Sequence, residues 1–286
     1  MNQLKRPQTF VDQVEILLKK GIKIKDKEDC ENFLKTVTYY RFLAYLLPFR
    51  DKETRKCQNG LTFERLKSIY IFDSDLRHLI SSAIEDIEVS LRTMVSHKFS
   101  IKYGAEGYLD TANFNAKHKH DKFMENYNSC VKENSRTLVV QHHNSKYGGH
   151  FPLWVVVDFF HLGMLSHFYA DMKTEDQKSV AAEYCTSHQN LGSWFKCLTD
   201  LRNRCAHYSR LYFWNFTSIP RKDRRTQHIP DSSLFSQIMM LRMLHPNQAK
   251  WNKSFLEPLK ELIKERAADI ELVHIGFPEN WEDLLK

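Results

Sequence analysis

Apolar residues along this chain recur at three- and four-residue intervals far more often than they alternate, the spacing that gathers side chains on one face of an α-helix. The first such stretch places Phe10, Val14, Leu17 and Leu18 on one face behind Thr9 or Asp12 as a cap, runs through Lys20, and stops at Gly21. A second helix is predicted after the acidic stretch 26–29. It carries Phe33, Leu34 and Val37 into the aromatic run Tyr39-Tyr40-Arg41-Phe42 and ends near Pro48. Residues 51–60 are polar and charged, and predict a loop or short hairpin. The strongest pattern covers residues 63–100, read as two pieces joined near 72–74. At 100° per residue, Leu76, Ile80, Ala83, Ile87 and Met94 fall within about 40° of one line.

Downstream, a surface connection over 104–122 leads to a helix at 123–131, and the Gly148-Gly149-His150-Phe151-Pro152 break precedes an apolar helix at 153–169. Helices follow at 177–184 and 191–205, then an exposed basic loop at 219–230, and closing helices at 233–244 and 253–268. No repeat or low-complexity linker divides the chain. The expected fold is all-α, with residues 1–60 as a helical cap on a larger domain over 61–286, or the whole as one compact domain.

Composition narrows the class of protein. A chain of 286 residues that is 42% hydrophobic and 13% aromatic has the material for a substantial core, and nine Gly and eight Pro are too few for a disordered or loop-dominated chain. A formal charge of +7, with fourteen histidines besides, favours an acidic partner such as RNA, whose counterions fixed cations displace. Six cysteines lie far apart without a C-x-x-C pair, which fits reduced thiols. No apolar run is long enough for a signal peptide or a membrane span, so a cytoplasmic protein without membrane contact is expected.

On the helix over 191–205, Leu191, Phe195 and Leu198 share a face, and Arg202 falls about 20° from their common line. An unpaired guanidinium buried there would cost several kcal/mol, so it needs either a carboxylate partner or a polar crevice that takes an anion such as phosphate. His207, five residues on, sits about 140° round a straight helix. The two converge only if the helix distorts or ends around 205–208, or if a second copy brings its own Arg and His across an interface.

The spacing Arg202-Asn203-x-x-x-His207 resembles the R-polar-x-x-x-H signature of HEPN domains, small helical bundles of prokaryotic toxins and RNA-guided ribonucleases. The wider chain resembles the Abi-like (abortive infection) family over nearly its full length. The matching stretches are Lys5-Arg6-Pro7, the run 13–21, Tyr39-Tyr40-Arg41 with Pro48-Phe49, Ile69-Tyr70-Ile71-Phe72-Asp73 with Leu76-Arg77, Ile87-Glu88-Val89 with Leu91-Arg92-Thr93, Phe151-Pro152-Leu153-Trp154, and Leu201 through His207. The resemblance implies a HEPN-like bundle and a cofactor-free, metal-independent endoribonuclease of phage defence, usually a homodimer with a composite cleft. In it His207 would transfer a proton at the ribose 2′-hydroxyl or the leaving 5′-oxygen, Arg202 would stabilise charge on the scissile phosphate, and Asn203 would orient His207 or hold a phosphate oxygen. The alternative is a HEPN-like protein that holds a small structured antitoxin RNA with little cleavage. The structural alternative for the pair is an Arg202 tied to an acidic residue and a His207 that merely caps the helix.

Arg204 within the motif and Arg210 just after it are read as RNA contacts, and Arg221, Lys222, Arg224 and Arg225 offer a basic loop for the backbone of a single-stranded RNA. Tyr39-Tyr40-Arg41-Phe42 either stacks bases or forms helix core with Arg41 as an exposed charge. A second R-x4-H, Arg92 to His97, is a candidate second site, but the wheel puts Arg92 about 160° from the core stripe, where an i,i+4 pair with Glu88 on a solvated face accounts for it. His118-x-His120 and His142-His143 lack a further ligand at metal spacing and read as part of a basic surface. Asp73 and Asp75 read as caps of a following helix. Neither a P-loop nor a Gly-rich phosphate-binding turn is present to support a nucleotidyl- or protein-modifying enzyme.

Overall fold

The computed structural model describes residues 6–51, 57–223, 226–227 and 229–286. Helix α1 (Phe10–Lys19) begins where Thr9 and Asp12 form a reciprocal capping box, and ends at Gly21, whose φ of 88° only glycine adopts freely. Helix α2 (Lys27–Thr36) is capped by Asp26, whose carboxylate accepts the amides of Glu28 and Asp29. The expected run from α2 into the aromatic stretch is broken. Val37 is extended at φ −128° and ψ 122°, and a new short helix, α3 (Tyr39–Leu43), leads into a 3-10 turn over Ala44–Phe49. The break lets Phe42, Tyr45 and Phe49 reach the core together. Of the loop expected at 51–60, residues 52–56 lie outside the described residues, and Arg50 pairs with Cys57 across them.

Helix α4 (Phe63–Tyr103) is one unbroken helix of 41 residues, about 60 Å long, rather than two pieces. Asp73 and Ser74, read as a joint, sit inside it. A buried network holds Asp73 there, so its carboxylate does not compete for its own helix's amides. After two 3-10 turns come α5 (His120–Glu133), α6 (Leu138–Tyr147), α7 (Leu153–Val156), α8 (Leu162–Asp171), α9 (Thr174–Ala182) and α10 (His188–Ala206). The apolar helix expected over 153–169 is split, because the chain turns at Phe160 to bury that ring against Phe123 and Phe168. Helix α6 had no apolar stripe to announce it.

The C-terminal part contains α11 (Leu234–Leu244), α12 (Gln248–Trp251), a π-turn over Asn252–Leu256, α13 (Glu257–Glu265) and α14 (Trp281–Leu285). The π-turn precedes Pro258, which has no N–H to continue the regular ladder. The chain is all-α: among the described residues only isolated bridges occur and no strand forms. Helix α4 is the axis, with α7, α8, α9, α10, α11 and α13 packed around it. The N-terminal segment joins the same core through Phe33, which meets Phe42, Phe63 and Tyr70 edge-on at 5.2–5.7 Å. No helix among the described residues is long and apolar enough to cross a membrane.

Candidate active site

Helix α10 buries Leu191, Trp194, Phe195, Leu198, Leu201 and Cys205 against its neighbours, and its last turn reaches the surface. Arg202 is exposed there rather than buried in the apolar face. Its guanidinium donates to Asn203 Oδ1 at 3.2 Å, and no carboxylate among the described residues pairs with it. The wheel placed Arg202 near the apolar line, but the elements packed on α10 do not extend over this turn. Arg202 and Ala206, one turn apart, open onto a cleft of about 390 Å³ walled by Ser81, Glu85, Glu88 and Arg92 of α4.

The helix ends at His207, which is exposed and whose side chain makes no hydrogen bond to the described residues. The amide of Tyr208 donates to Cys205 O at 3.0 Å and that of Ser209 to Arg204 O at 2.8 Å, a Schellman closure. Such closures favour glycine at the left-handed position, yet here it is Tyr208 at φ 55°. This conformation costs a non-glycine residue about 1 kcal/mol or more, and it persists because the chain is fixed on both sides. On one side Arg41 donates to Tyr208 O. On the other lies a buried anchor centred on Asp73.

Asp73 is fully buried on α4 and accepts from Tyr45 Oη, from Arg77 Nη1, and from the amides of Leu211 and Tyr212, the last at 2.7 Å. Burial pushes its carboxyl up from the ordinary range, while Arg77, Tyr45 and the two amides pull the other way. The anchor therefore fixes the chain only four residues beyond His207, across a separation of 138 residues in sequence. Sequence reasoning took Asp73 for a helix cap. Nothing local signals a partner so distant, although Asp73 and Arg77 both stood among the family-like stretches.

The other candidates fall into two groups. Arg41 lies at the motif, against Tyr208. Arg204 is folded onto Trp214, 3.9 Å from the ring centroid, with Asp200 at 3.8 Å. Arg210 is half-buried and donates to Tyr212 O at 2.8 Å, and burial lowers its pKa. Arg221 and Lys222 lie at the other end of α10, where the Arg221 backbone bonds Ser193 and Trp194 and Lys222 pairs with Asp231 at 2.6 Å. At 1.5 Å per residue that is roughly 13 Å from Arg202 along the helix. Arg224 and Arg225 lie outside the described residues.

Arg92 pairs with Glu88, as its spacing implied, but its side chain is only 12% exposed and also donates to Val157 O. The face expected to be solvated is covered because α4 is surrounded, and Arg92 shares a cleft with Arg202. His97 is exposed and lines a separate groove with Thr93, Ile101 and Trp154. His207 does not line the Arg92–Arg202 cleft, so one chain alone does not close an Arg and a His around it. One histidine of each pair lies inside rather than on a basic surface: the buried His118 ring bonds Asp171 at 2.9 Å and stacks on Phe114, and buried His143 bonds His150 O, while His142 is exposed.

A family model described as Abi-like protein matches residues 32–213, from α2 through the Asp73 anchor to the loop that the anchor holds. The chain belongs to the Abi-like protein family, which places it among abortive-infection proteins of phage defence. No curated protein and no solved structure matches the chain.

Proposed function

We propose that this protein is a HEPN-type, metal-independent endoribonuclease of abortive infection, cutting single-stranded RNA at Arg202, Asn203 and His207. The observation that carries the reading is the state of the α10 end. Three polar side chains stand in solvent with no structural partner among the described residues beyond one another, on a backbone held in a costly turn by a buried charged anchor. Exposed groups on a rigid, strained support are what a preorganised site requires.

In the proposed reaction the ribose 2′-oxygen forms a bond to phosphorus as its proton leaves, and the bond from phosphorus to the 5′-oxygen breaks as that oxygen gains a proton. The products are a 2′,3′-cyclic phosphate and a 5′-hydroxyl. His207 serves in proton transfer, and Arg202 neutralises charge growing on the phosphate oxygens. Asn203 holds the Arg202 guanidinium in place. No external cofactor is called for, since the RNA supplies its own nucleophile.

A second copy completes the cleft in this reading. The ridge of α4 beside it exposes Val89 at 59% and Ile101 at 76%, with Trp154 at 53% alongside, an apolar strip suited to burial between two copies. A chain that stays single would keep His207 away from the Arg202 cleft, which favours the second reading, an RNA holder with little cutting, restrained by or restraining a small structured RNA.

The test is cleavage of an end-labelled single-stranded RNA in excess EDTA beside DNA of the same sequence. Cyclic-phosphate and 5′-hydroxyl ends from RNA alone are expected. Cutting that needs added divalent metal, or that extends to DNA, contradicts the mechanism.

A further inference from the structure

A second cleft lies not at the motif but beside it, in the angle between α1, α2 and α3. It encloses about 1010 Å³, a size that admits a molecule of the nucleotide class. Its walls include Phe10, Tyr39, Tyr40 and Leu43, and its rim carries Arg6, Lys20 and Lys35. No carboxylate among the described residues lines it. Lys35 is paired with Glu31 at 3.1 Å, while the side chains of Arg6 and Lys20 have no acidic partner among the described residues.

Tyr40 is 70% exposed, meets Tyr39 with the two rings near perpendicular at 5.6 Å, and lines the same cleft as those cations. A large aromatic that a fold leaves this open, with cations beside it and no anion among the wall residues, suits a ligand that is flat, aromatic and negatively charged. The next residue in the chain, Arg41, donates to the carbonyl of Tyr208, itself 65% exposed and adjacent to His207. Tyr40 thus faces the cleft and Arg41 touches the motif, so the two sites are joined across a single peptide bond.

We infer that the α1–α3 cleft is a base-stacking subsite for single-stranded RNA, in which Tyr40 takes a nucleobase and Lys20 and Arg6 take the flanking phosphates of the strand whose scissile bond lies at His207. The inference rests on RNA being the partner of the motif. An amphipathic peptide segment is the rival occupant, and it would not need the bare cations.

The experiment measures binding of a short fluorescein-labelled oligoadenylate RNA to the full chain by anisotropy, in a His207→Ala background so that cutting does not interfere, with cleavage by the same substitutions scored separately in the otherwise native chain. Tyr40→Ala is expected to weaken binding about tenfold, and Tyr40→Phe to restore it, because stacking needs the ring and not the hydroxyl. Lys20→Gln should lower the slope of log affinity against log salt by about one, as the loss of one phosphate contact requires. Both residues are exposed, so folding is not at stake. If Tyr40→Ala and Lys20→Gln bind as tightly as the His207→Ala chain, with the same salt slope, the subsite is overturned while cleavage at the motif stands. If Tyr40→Ala weakens binding but the native chain cuts nothing, the subsite stands and the ribonuclease reading falls. No RNA binding by any form overturns both.

Discussion

Two segments of this chain share the spacing R-x4-H, and the fold treats them in opposite ways. Arg92 lies in the middle of α4, half-buried, its guanidinium divided between Glu88 and the carbonyl of Val157. Arg202 lies in the last turn of α10, exposed, with its neighbour Asn203 as its one side-chain partner among the described residues. His97 continues a regular helix, whereas His207 ends one and is followed by Tyr208 in the left-handed conformation. The spacing is the same. What differs is whether the cation is already neutralised, and a guanidinium satisfied at both edges has little left to offer a phosphate. The comparison assigns chemistry to the second segment and architecture to the first.

That assignment breaks most visibly in cleavage rates. Arg202→Ala and His207→Ala should each lower RNA cutting by about 100-fold or more with little change in thermal stability, whereas His97→Ala should leave the rate within a few-fold. Comparable losses from His97→Ala and His207→Ala would erase the distinction. The next largest effect falls on the support rather than the site. Asp73→Ala strips the buried Arg77 of its carboxylate and frees the amides of Leu211 and Tyr212, a loss of about 3–5 kcal/mol measurable by urea denaturation.

Arg92→Ala should cost about 1–3 kcal/mol in the same denaturation experiment, since Glu88 and Val157 O lose their donor. A neutral result there would mean Arg92 is held for something other than structure. Tyr208→Gly should raise stability by about 1 kcal/mol by relieving the left-handed turn. If it also lowers RNA affinity, the strain is retained for the exposed ring.

The smallest effect sets the pH window for these assays. Burial draws the pKa of His245 and of His274 below 6.5, against the carbonyl of Asn247 and Asp86 for the first and Glu271 for the second. As pH falls through 6.5 the unfolded chain takes up these protons before the folded one does. The stability they confer is complete above 6.5 and declines toward the lowered folded values, so thermal melts about one unit below 6.5 should show a lower midpoint than those above it.

Much of this was legible in the residues, and the exceptions have physical reasons. The cap of α1 at Thr9, one of the two candidates there, the stop at Gly21, the start of α11 near residue 233 and the end of α10 near Cys205 are all local signals, and each falls close to where its pattern puts it. Asp73 was misread because its partners lie 138 and 139 residues away, and a lone Asp in a helical pattern reads as a cap. A helical wheel records angles and not which neighbours cover them, so it puts Arg92 on a solvated face that the surrounding helices cover, and for Arg202 it leaves open a carboxylate partner or the polar crevice that the structure has. Val37 and Phe160 interrupt apolar patterns that looked continuous, each turning the chain so that aromatic rings enter the core. The Tyr40 cleft was half visible: the run of aromatic and basic residues was plain, but its split into a buried Phe42, an open Tyr40 and an Arg41 bound to Tyr208 belongs to the tertiary structure.

Metal-free cutting at the end of α10 is read by incubating the purified chain and its His207→Ala form side by side with labelled single-stranded RNA in excess EDTA and resolving the products. Cutting by the parent chain alone, with cyclic-phosphate and 5′-hydroxyl ends, is the predicted result. Equal cutting by both forms, or products ending in a 5′-phosphate, would contradict it.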